Sequence, residues 1–195
     1  MNPNDIWAVP PAETEGDATI EAIFASVGRS LSRWEWLEAH MSVLFAYLVN
    51  PEDGSEPARR AYGAIATFSG RADMLIHAAQ GRMGHQPERA PLLASLKTHV
   101  ELLRRASGRR NEIAHGIAQS VYVQISSPTY LLYPAWYNSR KHQPSRAPSY
   151  AYSSATINRF GRQFMELVDP VMALLDGVRR PQPHAAQDEL PPRPQ

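Results

Sequence analysis

Arg110, Asn111 and His115 lie within the segment GRRNEIAHG, Gly108 to Gly116. This places an always-charged fork, an amide and an imidazole within two helical turns. An imidazole that titrates near neutrality takes the proton of a ribose 2′-hydroxyl or delivers one to a 5′-oxygen leaving group. A guanidinium grips the scissile phosphate and stabilises the charge that grows in a phosphorane-like transition state. On a helix, Asn111 and His115 are four apart and share one face, with Arg110 beside them. Asn111 would then hold the imidazole tautomer or bond the phosphate. This chemistry requires no metal and no other cofactor, and it demands RNA because the internal nucleophile is the 2′-hydroxyl. A plainer reading makes the same residues a helix end: Arg110 and Asn111 start a short helix, Glu112 complements its dipole, and His115 precedes a glycine cap.

The pattern Arg110-Asn111-Glu112-Ile113-Ala114-His115 resembles the signature of the HEPN superfamily, all-helical domains found in many prokaryotic ribonucleases of toxin and phage-defence systems. That signature is an arginine, four to six residues of any kind and a histidine, commonly with Asn, Asp or His directly after the arginine. Arg33 to His40, Arg71 to His77 and Arg179 to His184 also satisfy the bare spacing. Two of these sit in the middle of expected helices and the third in a Pro-rich tail. Arg109 fits with one more residue of spacing but is followed by Arg110, so Arg110 carries the match. The resemblance implies a metal-independent endoribonuclease with Arg110, Asn111 and His115 as catalytic residues. It further implies a homodimer whose two-fold axis brings both motifs into one cleft, since one histidine does not easily serve as base and acid in one turnover. The products would carry a 2′,3′-cyclic phosphate and a 5′-hydroxyl. An antitoxin or regulatory protein is the further partner it implies. A subgroup carries a tyrosine two residues after the histidine, where a partner antitoxin attaches AMP; Ile117 stands here, which argues against that control. The alternatives are a catalytically inactive HEPN-like module that holds RNA, a nucleotide or a protein, and a plain helical scaffold.

These residues need a scaffold, and the hydrophobic period supplies one. Ile20, Ile23, Val27, Leu31, Trp34, Leu37, Met41, Leu44 and Leu48 form one stripe of a long helix over about 18–49, with Asp17 placed as its N-cap. A second helix is expected over about 56–82 and a third over about 88–107, where Gly108 marks an end or a kink. RNEIAHGIA then reads as a short helical piece. The period falls to two at Val121, Val123 and Ile125; SSPT reads as a turn and YLLY as the return strand of a hairpin. A last helix over about 154–178 should bend at Pro170. The expected fold is mainly α, an up-and-down bundle of four to five helices with a small β-hairpin inserted before the last one. Residues 1–17 read as a flexible tail, 18–179 as the helical domain and 180–195 as a disordered Pro-rich tail.

Composition narrows the function classes. The chain has 195 residues, a formal net charge of +1 and no cysteine, which excludes disulfide, thiolate and cysteine-zinc chemistry. No stretch reads as a signal peptide, and MSVLFAYLV is far too short to span a bilayer, so the expectation is a soluble cytoplasmic protein with no membrane partner. Eighteen of the twenty basic residues are arginine, and no Asp or Glu occurs from Ile113 to Met165. Within or beside that acid-free span, Arg109, Arg140, Lys141 and Arg146 with Tyr137 and Tyr150 would bind RNA, the cations following phosphates and the rings stacking on bases. The alternative for the 126–153 segment is a solvated loop whose aromatics anchor the hairpin. Glu35, Glu38 and His40 read as a solvated or interface face, and Arg71 or Asp73 as residues that would orient the catalytic pair from the second helix. No metal-ligand spacing, Gly-rich phosphate loop, serine elbow or paired carboxylates are present in the sequence.

Overall fold

In a computed structural model, residues 5–121, 128–135, 137 and 148–180 are described. They form a mainly helical bundle in the order α1 (Ile20–Val49), α2 (Glu56–Ala64), α3 (Phe68–Met83), a short 3-10 turn (Pro87–Arg89), α4 (Ala90–His115), β1 (Gly116–Val121), β2 (Thr129–Pro134), α5 (Ser154–Glu166) and α6 (Val168–Arg179). The helical bundle with a small antiparallel hairpin is the architecture that the hydrophobic period predicts.

The central helix is α1. Ile23, Trp34, Leu37, Met41, Leu44 and Leu48 are buried at the three- and four-residue spacing of one stripe, and α3, α4, α5 and α6 pack around it. Small residues let α5 approach closely. A Cβ on Gly161 would stand 2.5 Å from Ser30 Oγ. That hydroxyl donates to the Ile157 carbonyl at 2.9 Å.

Two expected helices are each divided. Residues 56–82 break at Ile65–Thr67: the Thr67 side chain caps α3 by accepting from the Gly70 amide at 3.1 Å, and Arg71 Nε donates to the Ile65 carbonyl at 2.8 Å. The break therefore satisfies its own exposed backbone groups. The last helix divides at Leu167, three residues before Pro170. The proline ring clashes with the carbonyl four residues back, that of Glu166, so the fault lies upstream of the proline itself.

Three further expectations need correction. The third helix does not stop at Gly108, which lies inside α4; the helix runs unbroken to His115, so RNEIAHGIA is no separate piece. Gly116 follows with extended backbone and opens β1, paired Gly116 to Pro134 through Val121 to Thr129. The strand thus starts five residues before the expected Val121, while Val123 and Ile125 lie outside the described residues. A Cβ at Gly116 would fall 2.6 Å from the Leu132 side chain, so the passage from helix to strand without a loop requires glycine.

Asp17 does not cap α1, whose N-cap is Thr19. It pairs by backbone with Tyr130 of β2, and its carboxylate accepts from the Ser154 amide and hydroxyl at the start of α5. Residues 5–17, expected as a loose tail, are packed: Trp7 is 3% exposed and stacks on Phe164 with centroids 5.6 Å apart. The tail expected over 180–195 lies outside the described residues except for Arg180.

Candidate functional site

Arg110, Asn111 and His115 fall on the last two turns of α4, at its junction with the hairpin. Asn111 and His115 are exposed and about 40° apart around the helix axis, so they share one solvent-facing edge. Arg110 is turned about 140° from His115, toward α1. Its side chain is 29% exposed and lies 3.5 Å from the exposed Glu35 carboxylate. The fork still reaches back, with one guanidinium nitrogen donating to Asn111 Oδ1 at 3.1 Å. Asn111 therefore holds the arginine and makes no hydrogen bond to the imidazole. The His115 ring makes no hydrogen bond to any described residue and stands open to solvent.

Between these exposed groups, α4 turns a second set of polar side chains inward. Glu112 is 7% exposed. Its carboxylate pairs with Arg109 at 3.0 Å and accepts from the Tyr152 hydroxyl at 2.7 Å, while its carbonyl accepts from the Tyr150 hydroxyl at 3.1 Å. The two tyrosine rings stack at 4.8 Å. Burial first pushes both phenols up, followed by the Glu112 charge at Tyr150 and by the hydrogen bond to Glu112 at Tyr152, so they stay protonated and act as donors. The cluster ties the last turns of α4 to the segment that leads into α5.

This corrects two of the expected RNA contacts. Tyr150 is 1% exposed, which withdraws its ring from stacking on a base. Arg109, with a side chain 12% exposed, is committed to Glu112 and Tyr152. Tyr137 is 70% exposed. Arg140, Lys141 and Arg146 lie outside the described residues.

Two further expectations fail. Glu38 is no solvated residue: it is 6% exposed, accepts from Trp34 Nε1 at 2.6 Å and pairs with Arg71. Arg71 is thereby occupied, and Asp73 pairs with Arg104 at 2.7 Å, so neither orients Arg110 or His115. The partner of Arg110 is Glu35, which was expected only on a solvated or interface face. Glu35 also borders a shallow hollow of about 510 Å³ with Arg33, Trp36, Ala39 and Met165, and Trp36 is 56% exposed. No short motif links residues 35 and 110, which meet only because α1 and α4 pack together.

A larger hollow, about 810 Å³, lies between α4 and α6 and is bordered by Leu92, His99, Leu102, Pro170 and Leu174. It holds none of the three motif residues. His99 is 8% exposed, and burial pushes its imidazole below the usual 6.5, opposed in part by the Leu167 carbonyl. The unfolded chain thus binds a proton more readily than the native one. Stability from the neutral native ring is present above the unfolded value and is lost as pH falls through the depressed native one. The urea midpoint is expected to drop as pH falls below about 6.5, and His99→Gln should flatten that part of the profile. An identical slope in both proteins would remove His99 as the cause.

No helix among the described residues is long and apolar enough to cross a membrane. Compared with protein-family models, with curated proteins and with solved structures, the chain matches none of them.

Proposed function

We propose that this protein is a metal-independent endoribonuclease of HEPN-like type, acting on RNA at a cleft shared by two copies of the chain. The observation that carries the proposal is the division of polar groups along one helix end. Glu112 is buried and paired with the mostly buried Arg109, whereas Asn111 and His115 are exposed with Arg110 held beside them. Structural demands are met by the inward pair, which leaves the outward three for a ligand. His115 moves protons at the 2′-hydroxyl or the 5′-oxygen, and Arg110 exchanges Glu35 for the scissile phosphate. Such an exchange is easy, because an exposed ion pair contributes little to stability.

Each chain offers one histidine in the motif, so separate base and acid require His115 from two copies related by a two-fold axis. A role as toxin or phage-defence effector, and control by an antitoxin, rest on the motif's resemblance alone. The single histidine also favours a second reading, a binding module that holds RNA without cutting it.

The test is incubation with total RNA in EDTA, followed by analysis of product ends and of particle mass by light scattering. The nuclease reading expects 2′,3′-cyclic phosphate and 5′-hydroxyl ends, a dimer at micromolar concentration, and strongly reduced cleavage by Arg110→Ala. Intact RNA with a folded dimer, or equal cleavage by the variant, sinks it. A monomer that binds RNA without cleavage supports the binding module.

A further inference from the structure

The end of the bundle farthest from His115 carries a second concentration of charge. Arg82 at the end of α3, Arg89 just before α4, and Arg179 and Arg180 at the end of α6 surround a hollow of about 400 Å³, together with Gln86 and Glu52. The 26 residues of α4 separate it from His115 by about 39 Å. It is therefore independent of the nuclease site.

Among the described residues, none of these four arginines has a carboxylate within ion-pair distance, Glu52 included. Part of the cluster has a structural use. Arg89 donates to the Val178 and Arg180 carbonyls at 3.5 and 3.0 Å, and Arg179 lies over the Tyr47 ring at 4.8 Å. The C-terminal ends of α1, α3 and α6 also face this region and contribute about half a negative charge each. Those ends and Glu52 together fall short of four full positive charges. Arg82 and Arg180 have no such use. Arg82 Nε and Gln86 Oε1 are buried without a hydrogen-bond partner. Burial and the neighbouring Arg89 both press against the charge of Arg82. An arrangement that gathers like charges and leaves the Arg82 Nε donor unmet is costly to the empty protein, and a multiply charged anion relieves both faults.

We propose that this hollow binds an oligophosphate, a ligand with at least two linked phosphate groups. Forked guanidiniums converging from three helix ends match such a group bidentately, whereas a single phosphate would leave several of them unpaired. The volume is at the small end for ligand sites, which suits the phosphate chain rather than a large apolar body. Free nucleotides and the 5′-triphosphate end of an RNA share this chemistry.

The experiment is calorimetric titration of the full chain with pyrophosphate at low salt, for wild type, Arg82→Gln and Arg180→Gln, with Arg162→Gln as a control remote from the hollow. Circular dichroism confirms that each is folded, and the exposed Arg180 provides a variant if Arg82→Gln does not fold. Saturable binding is expected in the wild type and control, weakened roughly tenfold or more in either hollow variant. Affinity should also fall steeply as salt is added. A nucleoside triphosphate and a 5′-triphosphorylated oligonucleotide, compared as competitors, identify the source, and displacement by either supports the proposal. No saturable binding, equal affinity in all four proteins, or tighter binding of a 5′-hydroxyl oligodeoxynucleotide than of pyrophosphate overturns it.

Discussion

His115→Ala is expected to lower RNA cleavage by about 10²–10⁴-fold, the usual effect of removing a general acid–base group. That range corresponds to about 2.7–5.5 kcal/mol of transition-state stabilisation. The melting temperature should hardly move. The His115 ring is exposed and makes no hydrogen bond to a described residue, and surface substitutions of that kind usually stay within about 0.5 kcal/mol. Activity and stability therefore separate at this position. The measurement pairs single-turnover cleavage in EDTA with a thermal melt of the same preparation. A shared cleft adds a second readout. Where the two scissile positions each draw on both copies, mixing inactive variants cannot restore a full set of groups, and a wild-type protein diluted with His115→Ala should lose activity faster than its mole fraction. Proportional loss would mean that each chain cuts alone. Unchanged cleavage by His115→Ala ends the catalytic reading of the motif.

Glu112→Ala, only three residues away, should do the opposite, with a loss of about 3–5 kcal/mol in stability. The substitution leaves the mostly buried Arg109 with its charge uncompensated and takes the acceptor from the Tyr152 hydroxyl. Removing one partner of a buried pair costs more than the pair contributes, because the remaining charge is stranded in a poor dielectric. Urea denaturation followed by circular dichroism measures it. A double replacement of Arg109 and Glu112 by apolar residues should recover much of the loss, since no charge is then left alone. A Glu112→Ala midpoint equal to wild type would show that water reaches the cluster and that the pair is not what holds the helix end.

The contrast between these neighbours explains what was legible in the sequence. The stripe from Ile23 to Leu48 is long and strictly periodic, so α1 followed from it to within two residues at either end. Thr67 and Pro170 act locally, yet the breaks they cause fall where backbone groups find other partners, and the apolar period runs on across both. Gly108 misled because glycine tolerates a helix interior when the packing on either side is strong, here through Leu103, Ala106 and Ile113. At the site, Arg110, Asn111 and His115 were visible as a local pattern. The separation of Arg109 from Arg110 was not. Which of two adjacent arginines turns inward depends on Tyr150 and Tyr152, some forty residues away and without a spacing rule of their own. Glu35 escaped for the same reason, since its meeting with Arg110 is a product of helix packing.

The clasp formed by residues 13–17 also orders events in time. Glu13 accepts hydrogen bonds from the Ser153 amide and the Thr156 hydroxyl, and Asp17 from Ser154, across 137 to 143 positions of chain. During translation these acids emerge long before their partners exist, and α1 must wait with them. Closing so long a loop is entropically unfavourable until the intervening helices have shortened the gap. The clasp is therefore a late step of folding, and a ribosome stalled before α5 would carry a nascent chain whose central helix still has one side uncovered.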